Sequence, residues 1–228
     1  MAITVYKPEW GAQRPIRGIL FDMDGLVLDS EKLYSRFWRE ACGFYGFEMS
    51  YEQSLKMRAL NRYAGEAMLK SFFGEAADYV QLRTKRIELM DAFVEENGVE
   101  LRPGIVELLD HLQEKNIPAA IASSSPLPRI RNHLSRHGLD VRFRALCSGH
   151  DVPNGKPAPD IYLYAAQQLG LKPEECMALE DAPAGIESAY RAGCLPVMVP
   201  DQDQPEEKTV AMLYAKADSL LDVIGLVK

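Results

Sequence analysis

The stretch Gly18-Ile19-Leu20-Phe21-Asp22-Met23-Asp24-Gly25-Leu26-Val27-Leu28-Asp29-Ser30 decides the fold. It opens on an apolar run too short and too uniformly apolar for an amphipathic helix, the pattern of a strand buried on both faces. Two acids follow immediately, with Gly25 placed to turn the chain back over the strand end. Asp29-Ser30 then reads as a second turn.

Outward from this first strand, placed near residues 17–22, the same signature recurs at residues 119–122, 177–179 and 195–199, and more weakly at 143–147. Helical spacing separates these runs. Residues 105–115 carry apolar side chains at 105, 106, 108, 109 and 112, and residues 130–137, 160–169 and 182–192 follow the same rule. Gly138, Gly170 and Gly193 stand where glycines close helices. From about residue 98 onward, helix and strand alternate, which predicts an α/β fold with a parallel sheet. Residues 30–97 differ, with no convincing strand. Leu33, Phe37, Trp38 and Ala41 share one helix face, and residues 63–73 and 79–94 continue helically. The expected organisation is a core of residues 1–29 and 98–228 with an all-helical insertion, residues 30–97, after the first strand.

Polar residues fall where the strands end. Asp22 and Asp24 follow the first, Ser123, Ser124 and Ser125 the next, and Glu180 and Asp181 a third. In an open parallel sheet the carboxyl ends of the strands form the ligand crevice, so these groups should converge. Four carboxylates cannot all stay ionised together without a cation. An oxygen-only ligand set of Asp22, Asp24, Glu180 and Asp181 suits Mg²⁺, and bound Mg²⁺ typically also takes a phosphate. Lys156, in a Pro/Gly-rich loop, would add a positive charge. Ser125-Pro126 reads as a helix N-cap with proline in the first helical position, whose N–H groups would join the Ser123 hydroxyl as an anion site. Taken singly, each feature is as readily a turn acid, a cap or a solvated lysine. All of them in this order point to a site for a divalent metal and a phosphate, which suits phosphoryl transfer.

The rest of the composition narrows the class. The chain has 228 residues, 47% hydrophobic and 26% charged, the mix of a globular protein with a real core. A formal charge of −7 disfavours nucleic-acid and anionic-membrane partners. Cys42, Cys147, Cys176 and Cys194 lack zinc-ligand spacing, so a reducing, cytoplasmic setting is expected. Residues 1–15 lack the apolar core of a secretory signal, and no run is long enough to span a bilayer. No GxGxxG follows the first strand, which sets aside a dinucleotide-binding module.

The sequence clearly resembles the haloacid dehalogenase superfamily. Asp22-Met-Asp24-Gly, Ala122-Ser123-Ser, Lys156-Pro157 and Glu180-Asp181-Ala-Pro-Ala-Gly185 match its four motifs in order. Lys156-Pro-Ala-Pro-Asp160 and the run from Leu179 to Ile186 look like the branch of beta-phosphoglucomutase and the sugar-phosphate phosphatases. The resemblance implies a Rossmann-like core with a small helical cap, Mg²⁺ as cofactor, and a small phosphorylated metabolite as partner. It implies Asp22 as nucleophile and metal ligand, and Asp24 as acid and base whose backbone carbonyl also meets the metal. Glu180 and Asp181 would complete the metal site, with Ser123, Ser124 and Lys156 on the phosphoryl group. The Asp24 carboxylate speaks against the dehalogenase and phosphonate-cleaving members, and also against a phosphoacceptor signalling domain. Lys56, Arg58, Arg62 and Lys70 place cations in the cap, and Arg58 and Arg62, spaced i, i+4, would contact the rest of the substrate. Tyr34 stands where the mutases carry a histidine, which favours a phosphatase over a mutase. A monomer or weak homodimer is expected.

Overall fold

Strands β2 (Gly18–Phe21), β3 (Ala119–Ser123), β5 (Cys176–Glu180) and β6 (Leu195–Met198) are buried at every position. Helices cover both faces of a parallel sheet, so its strands need no polar side. The computed structural model describes residues 3–57, 60, 62–201 and 204–227. Three further strands complete one sheet: β1 (Ile3–Val5), β4 (Ala145–Ser148) and β7 (Ala215–Ala217). The spatial order is β1-β7-β6-β5-β2-β3-β4. Every pairing is parallel except β1 with β7.

β2 lies between β3 and β5. The chain builds outward from β2 through β3 to β4, then crosses to β5 and builds the other way. This reversal puts the ligand crevice beyond the carboxyl ends of β2, β3 and β5. Small side chains on the strands let a helix approach closely. Ile161, Tyr162, Ala165, Ala166 and Leu169 of helix Asp160–Leu169 form one core cluster with Leu20, Ala120, Ala122 and Ala178. Gly170, at φ 71°, ends that helix, and Gly193, at φ 89°, ends helix Pro183–Ala192.

Two strands have no counterpart in the sequence reading, β1 and β7. Each has three residues, below the length at which periodicity shows. The extension before β2 therefore adds an antiparallel edge strand and a short helix, Pro8–Gln13. Trp10 of this helix stacks on Tyr190, with centroids 6.1 Å apart, and Lys7 Nζ lies 4.0 Å from the Trp10 ring centroid. The helical insertion follows the strand expected near residues 17–22, which β1 makes the second of the chain.

The chain divides into two compact units, residues 1–28 with 101–228, and residues 29–100. Among its described residues the second unit holds helices Glu31–Phe44, Tyr51–Lys56, Arg62–Phe73 and Tyr79–Asn97, and no strand. Trp38, Cys42, Leu69, Tyr79 and Leu82 form its core. Ser50 and Gln53 make a reciprocal capping box on the second helix, and the Asp78 carboxylate accepts from the Val80 and Gln81 N–H groups at the start of the fourth. No helix among the described residues is long and apolar enough to cross a membrane.

Candidate active site

Asp22 follows the last residue of β2, and its N–H donates to the Leu179 carbonyl of β5 at 3.0 Å, which fixes the backbone beneath the carboxylate. The chain then reverses. The Gly25 N–H donates to the Leu28 carbonyl at 2.9 Å, and Gly25 sits at φ 87°, where a side chain would be strained. This turn holds Asp24 over the strand end.

Lys156 reaches the same place from its loop. Its Nζ donates to Asp22 Oδ1 at 2.5 Å, to Glu180 Oε1 at 2.6 Å and to the Ala122 carbonyl at 3.0 Å. One ammonium thus joins the ends of β2, β3 and β5. Glu180 is 1% exposed. Its Oε1 also accepts the hydroxyl of Tyr162 at 2.5 Å. Gly185, in the first turn of helix Pro183–Ala192, leaves the space this carboxylate fills, because a Cβ there would stand 1.9 Å from Glu180 Oε1. Carboxylate oxygens of Asp22, Glu180 and Asp181 lie within 4.8 Å of one another. The set is all oxygen, and the one ammonium that reaches it leaves an excess of negative charge. It fits a hard divalent cation.

Burial raises the Asp22 carboxyl pKa, Lys156 pulls it back, and Glu180 and Asp24 add to the rise. Burial lowers the Lys156 pKa, but Asp22 and Glu180 outweigh it and hold the ammonium above its ordinary pKa. Burial, reinforced by Glu180, keeps the Tyr162 phenol protonated and hence a donor.

The serines separate. Ser123 is 1% exposed and its hydroxyl accepts the Ser125 N–H at 3.1 Å. Ser124 is exposed. Ser125 is not the N-cap that the sequence suggests. Helix Leu127–Ser135 starts later, with Pro126 in the cap position and no side-chain cap bond, and the Ser125 hydroxyl instead donates to Asp24 Oδ2 at 3.1 Å. In the second unit Arg62 is exposed at the start of its helix, beside a hollow also lined by Glu66, Lys70, Glu75 and Asp78. Lys70 is already paired with Glu75 at 2.9 Å and Glu66 at 3.5 Å. Arg58 lies outside the described residues.

Sequence reasoning missed Tyr162, which reads as one more residue of an apolar helix face, and the partners of Ser125. Gly185 reads in the sequence as a motif residue, and the structure adds that its missing side chain makes room for Glu180. Only the spacing of Gly185 from Glu180, across a strand-to-helix turn, could have pointed to it.

Residues 16–193 match the family described as haloacid dehalogenase-like hydrolase. The chain belongs to this family. Among curated members, hexitol phosphatase A of Escherichia coli (strain K12) is 35% identical over 179 residues, 78% of this chain and 80% of that protein. A probable pseudouridine-5'-phosphatase of Drosophila melanogaster is 32% identical over 227 residues, 93% of this chain and 95% of that one. The fold is shared with the crystal structure of a putative beta-phosphoglucomutase from Thermotoga maritima, with a TM-score of 0.76 at 23% identity over 92% of this chain and 98% of that one. The chain is a haloacid dehalogenase-type hydrolase, and these two relatives carry the names of a phosphatase and a probable phosphatase.

Proposed function

We propose that this hydrolase is a Mg²⁺-dependent phosphatase that cleaves a small phosphorylated metabolite, a sugar or sugar-alcohol phosphate, through an aspartyl phosphate on Asp22. The observation that carries the reading is the junction of Asp22, Lys156 and Glu180, with Asp181 in reach, at the carboxyl ends of adjacent parallel strands. The names of the relatives support a small phosphate ester as substrate: one is named a hexitol phosphatase and another a probable pseudouridine-5'-phosphatase.

In this reading an Asp22 carboxylate oxygen attacks phosphorus as the bond to the alcohol oxygen breaks. Asp24 gives its proton to that departing oxygen. Water then attacks the phosphoaspartate, Asp24 takes its proton, and phosphate leaves with Asp22 restored. Lys156 and Ser123 hold the transferring phosphoryl oxygens, with the exposed Ser124 at the rim, so that positioning and fixed charge carry most of the catalysis. Asp22, Glu180, Asp181 and the Asp24 carbonyl would hold Mg²⁺, which supplies positive charge that keeps Asp22 ionised and offsets that of the phosphate. Residues 29–100 serve as a cap that reads the rest of the substrate, with Arg62 among its contacts.

The test is product analysis with a panel of sugar and sugar-alcohol phosphates and with beta-glucose 1-phosphate. Free phosphate released with Mg²⁺ and abolished by EDTA is expected. A rearranged sugar phosphate that appears only when a trace of the bisphosphate is added would make the protein a mutase. Phosphate release that survives EDTA would remove the metal from the mechanism.

A further inference from the structure

Ser125 is held at three points. Its N–H donates to the Ser123 hydroxyl at 3.1 Å, its carbonyl accepts the Ser148 hydroxyl at 2.8 Å, and its own hydroxyl donates to Asp24 Oδ2 at 3.1 Å. Both anchors are buried, Ser123 at 1% exposure and Ser148 at 0%. Ser148 is itself fixed, since its hydroxyl accepts the His150 N–H at 3.1 Å. The turn Gly149–Asp151 also braces the serine loop, because a Cβ on Gly149 would stand 3.1 Å from the Ser124 Cα. A serine clamped through both its N–H and its carbonyl has its Cβ fixed in place, and here the hydroxyl rotamer that it adopts meets a carboxylate.

We propose that Ser125 is a positioning residue for Asp24 in phosphoryl transfer. The proposal rests on the reading of Asp24 as acid and base. While Ser125 donates to Oδ2, the proton that Asp24 transfers is carried on Oδ1. In the first step the Asp22–phosphorus bond forms, the phosphorus–alcohol bond breaks, and the Oδ1 proton moves to the departing oxygen. In the second, Oδ1 takes a proton from the attacking water. Ser125 itself is unchanged throughout, and its contribution is to fix which oxygen of Asp24 faces the leaving group and at what angle. Orientation of this kind is worth one to two orders of magnitude in rate when lost.

The test uses leaving groups of different basicity. p-Nitrophenolate departs with little need of a proton, whereas phenolate needs one. Ser125→Ala should lower the single-turnover rate of transfer to Asp22, which reads the first step alone, by about tenfold on phenyl phosphate with KM little changed, and by no more than about twofold on p-nitrophenyl phosphate. Ser125→Thr, which keeps the hydroxyl, should restore most of the loss. In an Asp24→Asn background, Ser125→Ala should have no further effect. Equal losses on the two esters, a change confined to KM, or an undiminished effect without the Asp24 carboxylate would each overturn the positioning role. The underlying reading is checked separately: if Asp24→Asn alone costs the same on both esters, Asp24 is not the acid, and the proposal falls with it.

Discussion

A methyl group at position 185 has nowhere to go. It would lie 1.9 Å from Glu180 Oε1 and 2.2 Å from Oε2. Gly185→Ala therefore forces Glu180 out of place while leaving the helix a better helix former. We expect Mg²⁺ affinity to fall by about ten- to a hundredfold, the range found when the surroundings of a metal ligand are disturbed. Titration calorimetry on the metal alone reads this without activity, and unchanged affinity would take Glu180 out of the metal site. At the carboxylates proposed to react, Asp22→Asn should abolish turnover, because an amide is a poor nucleophile and a poorer metal ligand. Asp24→Asn should retain Mg²⁺ binding and lose roughly two to four decades in rate on an alkyl phosphate, the usual worth of an acid/base group. Single-turnover kinetics with each variant would show which step has been lost.

Among the elements, the N-terminal segment is held by the pairing of β1 with β7 and by contacts that follow it. The Tyr6 N–H donates to the Tyr214 carbonyl at 2.9 Å, Lys7 Nζ bonds the Ala211 carbonyl, and Trp10 lies on Tyr190. Trp10→Ala should cost about 1–2 kcal/mol of stability from the lost stacking and cation contacts, or roughly 2–8 °C in Tm for a chain of this size. Calorimetry checks the shift, and kcat should not move, since none of these residues lies at the strand ends. The same elements show what the sequence could and could not convey. β2, β3, β5 and β6 are legible because burial on both faces writes itself as an unbroken apolar run. β1 and β7 take their strand state from backbone bonds to a neighbour, and three residues such as Ala215-Lys216-Ala217 carry no period to read. The motif order named the residues that meet, but not how they meet. Lys156 could be seen as a cation near the site, while its bridge from Asp22 to Glu180 depends on the loop's path. Ser125 before Pro126 has the chemistry of a helix cap. Only the start of the helix at Leu127 frees its hydroxyl for Asp24.

Across the whole molecule, all four cysteines are buried. Burial raises each thiol, Cys42 to about 11, Cys147 and Cys176 to about 12, and Cys194 further still. Since the thiolate is the reactive form, an aromatic disulfide reagent at mildly alkaline pH should label almost nothing in the native protein and all four thiols in guanidinium. Rapid native labelling of any one would mean that its part of the fold opens easily. Mg²⁺ should raise Tm as its concentration passes its Kd, by about 2.7 kcal/mol of added stability at a hundredfold excess over Kd, and Asp181→Asn should blunt that rise.

The turn that carries Asp24 has a wider consequence. Leu28 forms an antiparallel bridge with Leu101, and the Asp29 N–H donates to the Glu100 carbonyl at 2.8 Å, so the outgoing and returning chains run side by side where one unit gives way to the other. A tight reversal could join Leu28 to Leu101 without changing the register of any sheet strand. Residues 29–100 are thus spliced in at a single gap, as a cassette is. Lineages could exchange or redesign them while inheriting the strand-end carboxylates intact.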